Sequence, residues 1–397
     1  MTMRDTSKMR QDGLAEPFRK LLQVLWERRI LSRPDLDDLP ARATTLAVDK
    51  GGGRWLTMLE RLIASLREEA ALNEIGLTFA YVQLAGLLRQ RERVARLWRD
   101  HPEILATPVD RPVLVIGQMR SGTTRLQRLL GCDPRFAHTR LYEVLHPAAG
   151  PVDLRVPKTW AQVKLLEALN PSVAAIHPMS ATAVEEAFGL LSFSFYGAHL
   201  EAQWHIPTFA RHWEGEDRAW VYREFKALLQ TIAWQRGGAD KPWVLKAPQF
   251  MEDLDFLMDI FPDARLIFLR RDPVQLVGSS ASLVWNQMRL QSDQADRRWI
   301  GTEWLAKTAR RESLCAAART TLSGKRQVDV TFEEMNRDWR SEMRRIYSHL
   351  DLELTGDLER RMDSYLGAAE RSGFRNHAYR LDDFGLTAEQ VRNAVGT

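Results

Sequence analysis

The chain has 397 residues, 45% of them hydrophobic and 27% charged, ordinary globular usage that excludes a disordered polymer, a collagen and a small disulfide scaffold. Lys and Arg number 56 against 52 Asp and Glu, a net +4 too mild for a nucleic-acid footprint, although the pI of about 9.1 tilts the surface towards anionic ligands. The two cysteines, Cys132 and Cys315, lie far apart, so no disulfide framework is expected and a reducing compartment fits.

The N-terminal residues are polar and mixed in charge, without the apolar core of a signal peptide. No apolar run approaches the ~18 residues of a membrane span, so a cytoplasmic protein with no integral span is expected. From Gly13 to about residue 108 apolar residues recur at helical spacing (Phe18, Leu21, Leu22, Val24, Leu25, then 56–71 and 80–98) with a break at Gly51–Gly53, and this reads as a helical N-terminal region or cap over 1–108. Its many Arg and Glu residues read as solvated helix faces.

At Pro112 the texture changes. Val113-Leu114-Val115-Ile116, Trp243-Val244-Leu245, Arg265 to Leu269 and, more weakly, Val328 to Phe332 are short apolar runs, each followed by a helical pattern (124–130, 251–261, 274–285 and 333–350). Strands alternating with helices predict an α/β fold over 109–397, a P-loop-type parallel sheet flanked by helices with all strand C-termini along one edge. Residues 141–240 read as a helical insertion over the active site. It is rich in aromatics, among them Trp160, Phe193, Tyr196, Trp204, Trp213 and Tyr222; core packing accounts for most of them, and some could wall an acceptor pocket.

Two motifs fall at predicted strand ends. Gly117-Gln118-Met119-Arg120-Ser121-Gly122-Thr123-Thr124 has the glycine spacing of a phosphate loop between a strand and a helix, where backbone N–H groups and the helix dipole cradle an anion. A nucleoside triphosphatase places Lys after the second glycine; here Thr123 stands there and the positive charge sits inside the loop at Arg120. ATP is therefore a poor guest, whereas Arg120, Thr123, Thr124 and backbone donors suit one anionic group. The second motif, Arg271-Asp272-Pro273 to Ser279, offers a guanidinium at a strand end, Pro in the first turn of a helix and a hydroxyl about two turns in. Together they suggest two anion sites on one sheet edge, as a nucleotide with phosphates at both ribose ends demands.

That combination resembles the sulfotransferases that use 3′-phosphoadenosine 5′-phosphosulfate (PAPS), whose P-[KR]-S-G-T-T loop and R-x-P-x-x-x-x-x-S segment are matched in order and spacing by Met119–Thr124 and Arg271–Ser279. Within that family the chain is similar over most of its length to a bacterial subgroup related in pattern to the tyrosylprotein sulfotransferases. The further signs are His177-Pro178-Met179, Glu185-Glu186, Trp243-Val244-Leu245-Lys246-Ala247-Pro248, Phe261-Pro262-Asp263-Ala264 and the tail from Tyr379 to Leu386. It departs from the family at Phe250, where His is frequent, at Phe332, where Tyr is usual, and at Arg125, where cytosolic members carry an aromatic residue.

The resemblance implies transfer of the sulfuryl group from PAPS, as co-substrate, to a hydroxyl or amine of a small-molecule acceptor, bulky or apolar in view of the aromatic insertion. Arg120, Ser121, Gly122, Thr123 and Thr124 would hold the 5′ end, and Arg271 and Ser279 the 3′-phosphate. Arg120 would bind the transferring group, Lys246 the bridging or leaving oxygen, and Glu143 would act as base, with His177, His138 and Glu186 in reserve. No metal is expected, since His and Cys never fall at ligand spacing, and no nucleic-acid partner; a homo-oligomer is left open. The alternatives are a P-loop small-molecule kinase and a catalytically inactive nucleotide-binding protein.

Overall fold

In the computed structural model the described residues are 13–46, 53–176, 178–238, 241–371 and 379–396. Five strands form one parallel sheet: β1 (Val113–Ile116), β2 (Ala137–His138), β3 (Trp243–Lys246), β4 (Arg265–Arg270) and β5 (Gln327–Thr331), in the order β2-β3-β1-β4-β5. The main helices among the described residues are α1 (Ala15–Glu27), α2 (Arg54–Glu68), α3 (Glu74–Asp100), α4 (Thr123–Leu130), α5 (Leu141–Leu145), α6 (Arg155–Leu169), α7 (Ala219–Gln235), α8 (Pro273–Gln291), α9 (Arg297–Arg319) and α10 (Trp339–His349).

The short apolar runs become strands because both sheet faces are covered, so every residue of β1 and β3 is buried. Successive side chains alternate between two cores. Leu114, Ile116, Leu245, Leu266 and Phe268 face one that includes Leu59 and Leu62 of α2, Leu84 of α3 and Phe225 of α7. Val113, Val115, Val244, Ile267 and Leu269 face the other, with Leu126 and Leu129 of α4 and Ile346 of α10. The N-terminal helices thus share a core with the sheet, each buried Leu or Phe contributing about 2 kcal/mol.

Three details differ from the sequence reading. The two-residue β2 at the sheet edge is too short to announce itself. The last strand ends at Thr331, whose hydroxyl caps the next helix by accepting from the Glu334 N–H at 3.2 Å, so Phe332 opens that helix. The helical pattern over 333–350 is split at Asp338, which caps α10 by accepting from the Ser341 N–H at 3.1 Å. The aromatics of the 141–240 insertion are mostly core: Phe193, Phe195, Tyr196, Trp204, Phe209, Trp213, Tyr222 and Phe225 are all buried.

The strand order positions the site. After β1 the chain builds β2 and β3 on one side and then crosses to β4 on the other, so the crevice beyond the C-terminal end of β1 is a topological switch point, where open α/β sheets bind ligands. In register, Val115 lies beside Lys246 and Ile116 beside Phe268. The segments starting at Gly117, Ala247 and Arg271 therefore leave the sheet along the same edge.

Candidate active site

The loop from β1 to α4 folds as a cradle because its glycines leave room. A Cβ at Gly117 would stand 2.7 Å from the Leu269 carbonyl oxygen and 2.8 Å from Thr123 Cγ2; Gly122, at φ +98°, would put one 2.7 Å from the Phe332 ring. Arg120 also lies in the left-handed region at φ +70°, a conformation costing on the order of 1 kcal/mol. It is held by Arg271, whose Nη1 donates to the Arg120 carbonyl at 2.8 Å, and by the Ser121 hydroxyl, which donates to the Gln118 carbonyl at 2.7 Å. The N–H groups of Thr123 and Thr124, the first two of α4, lack intrahelical acceptors by helix geometry, whereas that of Arg125 already donates to the Gly122 carbonyl at 3.0 Å.

The two anion-binding segments meet. Asp272 caps α8, its side chain accepting from the Val274 N–H at 2.9 Å with Pro273 in the first turn, and this aims Ser279 back towards the loop. Arg120 donates from Nε to Ser279 Oγ at 3.1 Å and from Nη1 to the Ile176 carbonyl at 3.0 Å. Arg271 lies over the Phe332 ring with its Cζ 4.2 Å from the centroid and donates to Gln275 Oε1 at 3.0 Å. Burial first, and the neighbouring Arg271 charge second, hold the Arg120 guanidinium below its usual range. Among the described residues neither arginine makes an ion pair, and the buried Nε of Arg271 has no acceptor. Two adjacent guanidiniums without an acidic partner, next to a helix N-terminus, are a place built for an anion.

A third group joins from β3. Lys246, 2% exposed, pairs with Glu186 at 2.5 Å, and the Thr124 hydroxyl donates to the same Glu186 oxygen at 2.9 Å. The backbone around Glu186 is fixed: the Ala187 N–H donates to the Lys246 carbonyl at 2.8 Å, the Glu185 N–H to the Thr139 carbonyl at 3.0 Å, and the Gln127 amide to the Glu185 carbonyl at 3.1 Å. One carboxylate thereby bridges the loop helix and the strand-end lysine.

Glu143 stands elsewhere in its bonding. It lies in α5 rather than at a strand end and closes a capping box by accepting from the Arg140 N–H at 3.0 Å. It accepts from the Tyr142 hydroxyl at 3.1 Å and from both Nε (2.9 Å) and Nη2 of Arg236. Four donors occupy its two oxygens, which leaves little acceptor capacity for a further proton. His138, at the end of β2, has its pKa pushed down to about 4, by burial first and then by Arg236, Arg140 and Lys241; it is neutral at pH 7. His177 lies outside the described residues. Phe250 is fully buried against the Tyr222 and Phe225 rings, so its slot belongs to the core.

The sequence model of the "Sulfotransferase family" matches residues 112–356, more than half of the chain and all five strands. The chain belongs to the sulfotransferase family. The protein is 26% identical over 312 residues to the omega-hydroxy-beta-dihydromenaquinone-9 sulfotransferase Stf3 of Mycobacterium bovis, an alignment that spans 71% of each chain; the protein of the same name from Mycobacterium tuberculosis matches equally. Its structure superposes on sulfotransferase STF1 from M. tuberculosis with a TM-score of 0.79 and 27% identity, over 92% of this chain and 99% of that one. Sulfotransferase STF9 from Mycobacterium avium gives the same TM-score and identity over 90% and 94%. The family uses PAPS, and the Cβ-free cradle at Gly117 together with the unpartnered Arg271 Nε fits a donor with an anion at each end.

Three neighbours of these segments entered the sequence reading only as a departure (Phe332), as part of the tail motif (Tyr379) or as a reserve base (Glu186). Phe332 is the floor under Arg271 and packs on Gly122. Tyr379 donates to the Gln275 carbonyl at 2.7 Å and lies close enough to Arg271 and Arg120 for their charges to offset part of the upward pKa shift that burial gives its phenol. Glu186 left one signal, two adjacent carboxylates within the apolar surroundings of Val184 and Ala187, and both are buried.

Proposed function

We propose that this sulfotransferase transfers the sulfuryl group of PAPS to a hydroxyl of an apolar small molecule by in-line displacement. The acceptor oxygen bonds to sulfur, the bond from sulfur to the 5′-phosphate oxygen breaks, 3′-phosphoadenosine 5′-phosphate (PAP) leaves, and the acceptor proton goes to a protein base. Ser121, Gly122, Thr123 and the α4 N-terminus hold the 5′ end, Arg271 and Ser279 hold the 3′-phosphate, and Arg120 lies between them, facing the transferring group. Lys246 stabilises charge building on the bridging oxygen.

The base is Glu186 rather than Glu143. Glu186 is hydrogen-bonded to the two groups expected around the reacting oxygens, Thr124 and Lys246, and geometry comes before basicity in choosing a proton acceptor. Glu143 instead ties α5 to Arg236. The family assignment removes the kinase alternative. The observation that carries the reading is the Arg120–Arg271 pair, side by side and making no ion pair with a described residue. The curated relative is named for a hydroxylated dihydromenaquinone, which supports an apolar acceptor. Incubation with PAPS and a panel of hydroxylated quinones, sterols and glycans, read by mass spectrometry, tests it: a sulfated apolar product with stoichiometric PAP is expected, and sulfation of glycans alone would overturn the acceptor class.

A further inference from the structure

Twelve large apolar side chains stand exposed among the described residues, and ten of them fall in two stretches, residues 14–31 and 152–165. On α1 and its leading turn they follow helical period, Leu14, Leu21 and Val24 on one outward line, with Ile30 and Leu31 just beyond. On α6 and the turn before it stand Val152, Leu154, Val156, Trp160 and Leu165, Trp160 at 59% exposure. The two helices are neighbours: the Leu14 N–H donates to the Ala168 carbonyl at 2.8 Å, and Phe18, Leu22, Leu166 and Leu169 share a small core beneath. Exposed apolar side chains concentrated on two adjacent helices mark an interaction surface.

Its rim is net basic. Arg28 and Arg29 at the end of α1 and Arg33 beyond it are exposed and make no ion pair with a described residue, against the exposed carboxylates of Glu27 and Asp35. At the other side exposed Lys158 has Arg89 and Arg93 as its charged neighbours, and these two are exposed and likewise without an ion pair. A second copy related by two-fold symmetry would bring this rim against itself, so the charge favours an anionic partner. The patch also leads to the site, since α6 continues through Asn170 into residues 171–176, whose last carbonyl, that of Ile176, accepts from Arg120.

We propose that the outer faces of α1 and α6 dock on the surface of an anionic lipid bilayer, with the apolar side chains at the headgroup boundary and the arginines on the lipid phosphates. Among the described residues no helix is long and apolar enough to cross a membrane, so the contact is with one leaflet. It would present the crevice at Arg120 to an apolar acceptor held in the bilayer. The docking itself does not rest on the transfer reaction, because lipid binding needs no PAPS, and the two readings fail separately.

The test is flotation of the full chain with vesicles of phosphatidylcholine alone and of phosphatidylcholine mixed with phosphatidylglycerol. The wild type is expected to float with the anionic vesicles and to be released by salt. Leu21→Glu with Val24→Glu and Trp160→Glu should weaken that binding roughly tenfold or more, and Arg28→Glu with Arg29→Glu should abolish the preference for anionic lipid. All these positions are exposed, so PAP titration should be unchanged in both variants, which shows that they fold. A wild type that stays in solution with both vesicles, variants that float like the wild type, or a solution dimer that the first variant dissociates would each overturn the proposal.

Discussion

Replacing Glu143 by Ala and Glu186 by Gln tests which of the two carboxylates takes the acceptor proton. Glu143→Ala removes a helix cap worth about 1 kcal/mol and the charge-assisted hydrogen bonds from Arg236, worth roughly 1.5–2 kcal/mol. The full penalty of an orphaned buried charge does not apply, because the Arg236 side chain is 31% exposed and can hydrate. The sum of about 3 kcal/mol should lower the melting temperature by about 4 °C for a protein of this size. Glu186→Gln leaves an amide oxygen for Lys246 but strips the counter-ion from a lysine that is 2% exposed, so it too should cost about 3 kcal/mol. Melting therefore does not divide the two variants; turnover does. Measured as PAP release below both melting temperatures, Glu186→Gln should lose a factor of about 10²–10⁴ with PAP affinity within a few-fold, and Glu143→Ala should stay within a few-fold of the wild type. A hundredfold loss in Glu143→Ala beside an active Glu186→Gln would refute the reasoning and return the base to Glu143.

Gly122→Ala forces a side chain onto φ +98° with its Cβ 2.7 Å from the Phe332 ring, so PAP affinity should fall about tenfold or more; Gly215→Ala, where a Cβ meets nothing within 4 Å, should bind as the wild type, and equal affinities would count against the cradle. Phe332→Leu removes the ring beneath Arg271 and should weaken PAP binding several-fold, for a contact worth about 0.5–1 kcal/mol, as calorimetry can show. His146 and His199 are held neutral by burial, their pKa values pushed down to about 4 and about 3. Between those values and an unfolded pKa near 6.5 the unfolded chain binds more protons, so stability should rise with pH across that window and drop by roughly 2 kcal/mol per histidine on acidification from pH 6.5 to 4.5. Urea midpoints that do not move between pH 6.5 and 4.5 would contradict this, and His199→Gln should flatten the slope.

Much of this architecture was legible because the central strands carry no ambiguity. Val113–Ile116 and Arg265–Leu269 are apolar runs bounded by Pro, Gly or charged residues, each in front of a helix, and burial on both faces selects that pattern. Ala137–His138 was not legible, since two residues carry no periodicity. Asp338 hid a helix break because a cap inside a helical pattern looks like one more polar position. The anion-binding loops could be read from spacing, as the chemistry lies within eight or nine consecutive residues. The meeting of Glu186, Thr124 and Lys246 could not, because residues some 60 positions apart meet only once the sheet order sets β3 beside β1. The bonding of Glu143 was equally hidden: its capping-box bond to the Arg140 N–H is local, but Arg236, which donates twice to its carboxylate, comes from a helix end 93 residues away.

The most direct measurement is a calorimetric titration of PAP and of adenosine 5′-monophosphate, which lacks the 3′-phosphate, into the wild type and into Arg271→Ala. If Arg271 and the Arg120 loop grip opposite ends of one donor, the wild type should prefer PAP by roughly tenfold or more, and Arg271→Ala should erase that preference, while monophosphate affinity falls by no more than a few-fold through the lost bond to the Arg120 carbonyl. A preference for PAP that survives in Arg271→Ala, or a wild type that binds the two nucleotides alike, would contradict the account.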